Sequence, residues 1–94
     1  MGQGKMTRDE VLAIIKKAEQ EGWEELDLCG QGLTELPEDI GRVAQLKVLK
    51  LGYNPETGGL NFLEHLPDTL GQLTNLQHLD ISYNNLGRLP EWLG

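Results

Sequence analysis

The chain has 94 residues, of which 38% are hydrophobic and 24% charged, and its formal net charge is −7 at pH 7. This length allows one domain, because two independent cores would need more than the ~100–150 residues that one domain usually takes. The acidic charge repels phosphate backbones and anionic lipid, and no apolar run approaches the ~20 residues of a membrane-spanning helix. A single cysteine, Cys29, excludes an internal disulfide and a cysteine-based zinc site. The composition therefore predicts a cytoplasmic globular domain with no metal or cofactor, and with neither nucleic acid nor membrane as a partner.

The first predicted element is a helix at residues 7–21. Thr7 and Glu10 have the spacing of a capping box, in which each residue satisfies a free backbone donor of the other. Gly22 supplies the left-handed residue that commonly ends a helix. One apolar stripe follows the helical period: Val11, Ile14, Ile15 and Ala18. The helix is therefore expected to pack one face on the rest of the chain.

Three apolar blocks follow the helix and align with one another. Their offsets are 23 and 30 residues, and their members are Trp23, Leu26 and Leu28; Leu46, Leu49 and Leu51; and Leu76, Leu79 and Ile81. The last two residues of each block alternate with period two, which predicts a short strand with two inward side chains. The long connections between blocks suit parallel pairing of these strands.

Amide side chains follow the predicted strands. Asn54 and Asn84 come after the second and third strands, while Gln31 comes after the first. An amide can satisfy backbone groups that become free where the chain leaves a sheet, so a ladder of Asn54 and Asn84 is expected. The longer second unit then carries an insertion at residues 55–62. This insertion is interpreted as a bulged loop with Leu60 and Phe62 on the core, or as part of a binding face.

The spacing Leu-x-x-Leu-x-Leu-x-x-Asn resembles that of the leucine-rich repeat family. Residues 33–41 and 70–76 resemble its 23-residue intracellular class, which includes bacterial Roco-type GTPases and plant Ras-group repeat proteins. The resemblance implies an α/β fold: a right-handed leucine-rich-repeat solenoid with an N-terminal capping helix and a short parallel sheet of about three strands. It also implies a non-catalytic protein-protein interaction module within a longer leucine-rich repeat or Roco-type protein.

The expected organisation is a single domain whose repeats need a cover at each end, because one repeat cannot bury its own apolar face. A capping helix at 7–22 precedes three repeats, which are called the first, second and third units below. They are repeat 1 at 23–45, repeat 2 at 46–75 and an incomplete repeat 3 at 76–94. Since repeat 3 stops early, we expect either a longer protein or a homodimer through the uncapped C-terminal edge.

The outward positions of the strands form columns on the expected concave face, with neighbours ~4.8 Å apart. We predict that this face binds a protein or peptide through Glu25, Asp27, Val48, Lys50, Tyr53, His78, Asp80 and Tyr83. The two tyrosines either anchor a partner or cover the turn. The carboxylates favour a basic partner, or they only keep the surface soluble. Trp92 is a further candidate contact on the convex or terminal side.

Other polar residues are not predicted to carry chemistry. His65 and His78 lie on different segments without a cysteine partner, and His78, Asp80 and Ser82 are spread along one strand without an oxyanion hole. Cys29 is expected to be a small exposed side chain. The sequence therefore predicts no enzyme, and the alternative to a binding module is a purely structural role as the cap and first repeats of a longer solenoid.

Overall fold

The computed structural model describes residues 6–84 and residue 86. One α-helix precedes three short strands, and two 3-10 helices lie between the strands. In chain order these elements are α1 at Arg8–Glu21, β1 at Glu25–Asp27, a first 3-10 helix at Glu38–Arg42, β2 at Val48–Lys50, a second 3-10 helix at Asp68–Gln72, and β3 at His78–Asp80. Over this described part of the chain, no helix has the length and apolar character needed to cross a bilayer.

Helix α1 begins and ends where the sequence predicts. The backbone N–H of Glu10 donates to Thr7 Oγ1 at 3.2 Å, and the backbone N–H of Thr7 donates to the Glu10 carboxylate at 2.9 Å. Gly22 ends the helix in the left-handed region, at a φ of 68°. One face of the helix is buried through Val11, Ile15 and Ala18. The predicted helix and its terminal hydrogen bonds are confirmed.

The three strands form one parallel sheet in the order β1-β2-β3. Leu26 is paired with Leu49, and Leu49 is paired with Leu79, so the predicted alignment of the leucines is confirmed. The backbone N–H of Leu28 donates to the carbonyl of Lys50 at 2.8 Å and continues the pairing beyond β1. The leucine period therefore sets both the register of the sheet and the side chains that enter the core.

The two 3-10 helices stack on each other, and their apolar residues share the core of the sheet. Ile40 and Leu70 are almost completely buried and belong to the same cluster as Leu26 and Leu49. Thr69 Oγ1 in the second 3-10 helix donates to the carbonyl of Glu38 in the first at 2.6 Å. The strands and the 3-10 helices therefore pack against the equivalent elements of the neighbouring unit.

Asn61 is the buried amide that joins the first two units. Its Nδ2 donates to the carbonyls of Leu28 at 2.9 Å and Leu51 at 2.8 Å. Its Oδ1 accepts from the backbone N–H groups of Gln31 at 3.1 Å and Leu33 at 2.9 Å. The residue is 1% exposed, so these four bonds replace water for groups that would otherwise be buried without partners.

Asn84 plays the equivalent part in the third unit, as the sequence predicts. Its Nδ2 donates to the carbonyl of Leu51 at 3.0 Å, and its Oδ1 accepts from the N–H of Leu63 at 2.9 Å. In the first unit Gln31 turns its amide to the carbonyl of Cys29, two residues earlier, at 3.1 Å. The amide ladder therefore runs through Asn61 and Asn84.

The prediction that Asn54 belongs to this ladder is wrong. Asn54 begins the inserted segment: its backbone N–H donates to the carbonyl of Gly59 at 3.0 Å, and its Oδ1 accepts from the N–H of Glu56 at 2.9 Å. The extra residues therefore come before the ladder amide, and Asn61 and Phe62 belong to the regular repeat instead of the insertion expected at 55–62. The expectation that Phe62 lies on the core is also wrong, since this side chain is 44% exposed.

Candidate functional site

The exposed side of the sheet carries the side chains that the sequence placed there. Pairing across the strands puts Glu25, Val48 and His78 in one column, and Asp27, Lys50 and Asp80 in a second column. These six residues, all exposed or partly exposed, are called the strand face below. The columns are fixed by the parallel register, so neighbouring side chains keep the ~4.8 Å spacing of the strands.

The strand face is acidic, because its one lysine is already paired. Lys50 Nζ lies 3.3 Å from Glu25 Oε2, and this hydrogen bond and charge raise the pKa of Lys50. Within residues 6–84 and 86, Asp27 and Asp80 join no ion pair. Lys50 lies between these two aspartates and attracts both of them at longer range, but the strand face carries three carboxylates against one lysine and is therefore acidic.

Both of these carboxylates are held in place by the chain that follows them. Asp27 Oδ1 accepts from the backbone N–H of Cys29 at 3.0 Å. Asp80 Oδ1 accepts from Ser82 twice, from Oγ at 2.7 Å and from the backbone N–H at 3.0 Å. These two bonds, the side-chain one first, lower the pKa of Asp80. Asp80 is therefore oriented and charged at neutral pH.

Cys29 is buried, and the prediction that it is an exposed small side chain is wrong. The strand β1 ends at Asp27, so the alternation of inward and outward side chains no longer holds at Cys29. Burial, followed by the hydrogen bond with Asp27, raises the pKa of the thiol. Such a thiol stays protonated and makes a poor nucleophile.

Tyr53 and Tyr83 are neighbours at the exit of the strands, as their shared column predicts. Their ring centroids are 5.5 Å apart, and the ring planes are tilted by 50°. Tyr53 is 41% exposed and Tyr83 is 71% exposed. An exposed aromatic pair at this distance offers a large apolar contact area beside the carboxylates.

Tyr83 has an unusual backbone for a bulky residue, since its φ is 59°. The equivalent position of the first unit is Gly30, whose φ of 68° costs a glycine nothing. A non-glycine residue in this region stores conformational energy of about 1 kcal/mol or more. The fold therefore holds a tyrosine ring outward at a position where glycine would be the relaxed choice.

The inserted segment adds a short hairpin, residues 54–59, to one side of the strand face. Asn54 and Gly59 bridge its two ends in antiparallel fashion, and the N–H of Gly58 donates to the carbonyl of Asn54 at 2.8 Å. The hairpin and the strand face together enclose an open recess of about 540 Å³. The residues that line it are Asp27, Cys29, Lys50, Tyr53, Asn54, Pro55, Glu56, His78 and Asp80.

The remaining candidates show no arrangement for catalysis or metal binding. No group of three or more histidine, cysteine, aspartate or glutamate side chains in residues 6–84 and 86 could hold a metal ion. The hydroxyl of Ser82 donates to Asp80, so it orients a carboxylate and is not directed at His78. Trp92, the predicted convex or terminal contact, lies outside the described residues.

Sequence reasoning missed two features of this site. Asn61 could have been found by counting back from Asn84, because the regular unit of 23 residues places an amide at Asn61. The contact that seats the hairpin, between Gly30 and Gly59, leaves no periodic signal, because glycines occur at many other turns of the chain.

Stacked parallel strands that share a leucine core, a ladder of amides and one exposed sheet face define a repeat protein. A family model described as Leucine Rich Repeat matches residues 75–94. A leucine-rich repeat protein of Leptospira interrogans has a similar solved structure, with a TM-score of 0.64 and 36% sequence identity, over 74% of this chain and 16% of that chain. The repeats of this chain are leucine-rich repeats.

A curated relative leads to the same family. Toll-like receptor 7 of Drosophila melanogaster is 43% identical over 67 residues, which are 69% of this chain and 4% of the receptor. The chain thus spans only a small part of the length of the proteins it matches. Leucine-rich repeats generally mediate protein-protein interactions and are typically non-enzymatic, because stacked repeats offer an extended surface and no enclosed pocket.

Proposed function

We propose that this chain is a non-catalytic protein-binding module that presents the strand face, together with Tyr53 and Tyr83, to a protein or peptide. The observation that carries this proposal is the tyrosine pair: two exposed rings 5.5 Å apart, one of them held at a φ of 59°. Exposed tyrosines give large contact area at a small entropic cost, and backbone strain of this kind is concentrated at functional positions.

The mechanism is the display of side chains that are ordered before the partner arrives. Leu26 and Leu49 are buried under the strand face, and Asn61 ties the exits of β1 and β2 together. Partner binding then needs little ordering of the module itself, which leaves more of the contact energy for affinity.

The charges of the strand face favour a basic partner. Asp27 and Asp80 are oriented by their own backbone turns, whereas the charge of Lys50 is offset by Glu25. Complementary charge across an interface raises the association rate and discriminates between partners more than it raises affinity. Binding should therefore weaken as the ionic strength rises.

The wider context is also proposed, and it rests on the resemblance of the repeats. We infer a right-handed solenoid in which α1 covers the first repeat, because its buried residues Val11, Ile15 and Ala18 belong to the same core cluster as the leucines of the repeats. We further propose that the chain is a cytoplasmic part of a longer leucine-rich repeat protein, such as a Roco-type GTPase, and that the nucleotide chemistry belongs to another part of that protein.

A structural role is the second candidate, and one observation favours it. Leu79 in β3 is only partly buried, whereas Leu26 and Leu49 are buried almost completely. Another strand beside β3, from a further repeat or from a second copy in a homodimer, would complete the cover of Leu79. Sedimentation at increasing concentration tests the homodimer, and a constant monomer mass overturns it.

The test of the binding role compares proteins captured by the immobilised chain and by a Tyr53→Ala, Tyr83→Gly double variant. A Phe62→Ala variant is the control, because Phe62 is also an exposed aromatic residue, 44% exposed, but does not line the recess. We expect the double variant to lose partners that the control retains, at equal thermal stability. Equal capture by all three chains would favour the structural role.

A further inference from the structure

The hairpin at 54–59 is docked on the first repeat through a contact between two glycines. A Cβ added to Gly30 would lie 2.5 Å from Asn54 Cβ and 3.1 Å from the carbonyl oxygen of Gly59. A Cβ added to Gly59 would lie 2.5 Å from the carbonyl oxygen of Gly30. Backbones approach this closely only where neither residue has a side chain. The hairpin is therefore seated against the first unit.

Hydrogen bonds on both sides of this contact hold the hairpin in place. The N–H of Gly32 donates to the carbonyl of Leu60 at 2.9 Å, directly after the hairpin. Inside it, the N–H of Gly59 donates to Thr57 Oγ1 at 3.1 Å. An inserted loop that is bonded at its base, and also to a neighbouring unit, forms a fixed wall of the recess.

This wall changes the chemistry of the recess. The hairpin contributes Pro55 and the acidic residue Glu56, which line the recess together with Asp27 and Asp80. Tyr53 stands where the hairpin leaves the sheet and provides an aromatic surface beside these three carboxylates. Within the described residues Glu56 forms no ion pair, so its charge adds to those of the two aspartates.

We propose that the recess binds an arginine side chain of an extended partner segment and that the hairpin is the element that selects it. This inference rests on the proposed function and names the chemistry of the partner. A guanidinium group carries five donors in a planar fork that suits several carboxylates, and its flat face stacks on an aromatic ring. The carboxylates at the recess and Tyr53 supply both kinds of contact.

The size of the recess agrees with this occupant. About 540 Å³ is enough for one long side chain and part of the backbone that carries it, while the open form of the recess suits an extended segment passing along the strand face. Lys50 does not repel the incoming cation strongly, because Glu25 lies 3.3 Å from its ammonium group.

The test uses a capped seven-residue glycine-serine peptide with one central arginine, titrated into the isotope-labelled chain and followed by amide chemical shifts. Matched peptides carry citrulline or lysine in place of arginine. We expect saturable shifts at Tyr53, Glu56 and Asp80 in the millimolar range, at least tenfold weaker binding of the citrulline peptide, and severalfold weaker binding of the lysine peptide. Equal binding of the arginine and citrulline peptides, or of the arginine and lysine peptides, overturns the proposal.

Two variants test the role of the hairpin. Deletion of residues 54–60 joins Tyr53 to Asn61. The second unit then has the same spacing as Ser82, Tyr83 and Asn84 in the third unit. Glu56→Gln removes one carboxylate without shortening the chain, and Glu64→Gln is the control at an exposed glutamate that does not line the recess. We expect the deletion variant and Glu56→Gln to bind the arginine peptide at least threefold more weakly than the unchanged chain. Glu64→Gln should bind it as tightly as the unchanged chain.

Unchanged binding by Glu56→Gln overturns the proposal even if the deletion variant does not fold. The proposed function fails separately, because it depends on partners that are lost with the tyrosine pair and not on the peptide. The wild-type chain could capture partners that the double tyrosine variant loses, while the recess does not bind the arginine peptide. That result would support the proposed binding module and reject only the arginine assignment.

Discussion

The amide of Asn61 donates a hydrogen bond to the carbonyl of Leu28, which lies 33 residues earlier in the chain, at 2.9 Å. This bond crosses from the second unit to the first, at the place where the chain leaves β1. The same amide also accepts hydrogen bonds from the N–H groups of Gln31 and Leu33 and donates one to the carbonyl of Leu51. It therefore joins two segments that are far apart in the sequence. Where the chain leaves the sheet, several hydrogen bonds between the first two units therefore depend on one side chain.

Replacing this side chain should destabilise the fold strongly. Asn61→Ala leaves two carbonyls and two N–H groups without their partner in a buried site. Each unsatisfied buried group costs about 1–3 kcal/mol, although water entering the cavity offsets part of this cost. We expect the free energy of unfolding, measured by urea denaturation, to fall by about 2–4 kcal/mol.

Asn54→Ala is the matched control, because the sequence pattern gives Asn54 the same role. Its side chain accepts a single hydrogen bond, from the N–H of Glu56 at an exposed position. The expected loss is below about 1 kcal/mol. The opposite order of the two losses would restore the register that the sequence suggests and contradict the ladder through Asn61.

The leucine framework could be predicted because burial repeats with the structure. Leu26, Leu49 and Leu79 occupy equivalent positions, and a shift of one residue would turn the inward side chains of a strand to solvent. The start of α1 could be predicted as well, since Thr7 and Glu10 bond each other over three residues of local sequence. Local and periodic signals are therefore sufficient for the helix and for the sheet.

The site was harder to predict, because its geometry depends on contacts that do not repeat. Asn54 stands at the expected distance after Leu49, and nothing local shows that the chain turns into a hairpin before the ladder resumes at Asn61. The burial of Cys29 depends on the end of β1 in the same way. The columns of exposed side chains were predictable, whereas the wall beside them was not.

The backbone of Tyr83 gives a second prediction. At a φ of 59°, glycine is relaxed, while alanine has a Cβ close to the carbonyl oxygen that follows it. Tyr83→Gly should therefore be more stable than Tyr83→Ala by about 0.5–1 kcal/mol in urea denaturation, even though glycine increases the entropy of the unfolded chain. An alanine variant as stable as the glycine variant would show that this residue does not hold the left-handed conformation.

The contact between Gly30 and Gly59 gives a third prediction. Gly30→Ala must place a methyl group against the hairpin, whereas Gly58→Ala has a similar φ, 74° against 68°, and open space around the new Cβ. Both variants bear the cost of a left-handed alanine, about 1 kcal/mol. The Gly30 variant should lose at least about 1 kcal/mol more, because the methyl group displaces a docked segment.

The measurement for this pair combines thermal unfolding with the amide chemical shifts of residues 54–59. We expect large shifts throughout the hairpin in Gly30→Ala, and shifts limited to the site of substitution in Gly58→Ala. If the two variants unfold at the same temperature with the same local shifts, the hairpin is not seated on the first repeat.

The buried thiol of Cys29 gives a prediction about pH. Burial raises its pKa in the folded chain, and the hydrogen bond with Asp27 adds to this effect. The unfolded chain loses the thiol proton near pH ~8.5, while the folded chain still holds it, so stability must decrease as the pH rises. This contribution is complete below the unfolded pKa and is lost as the pH passes through the folded pKa.

Cys29→Ala keeps a small side chain at the site and removes the titrating group, so it isolates this effect. Urea denaturation between about pH 7.5 and 9.5, below the main titration of tyrosine and lysine, should show a steeper decline for the wild-type chain than for the variant. A thiol reagent should also react slowly with the folded chain and rapidly in urea, since only the thiolate attacks. Parallel pH curves for the two chains would mean that Cys29 ionises as freely in the folded state as in the unfolded one, which its burial against Asp27 opposes.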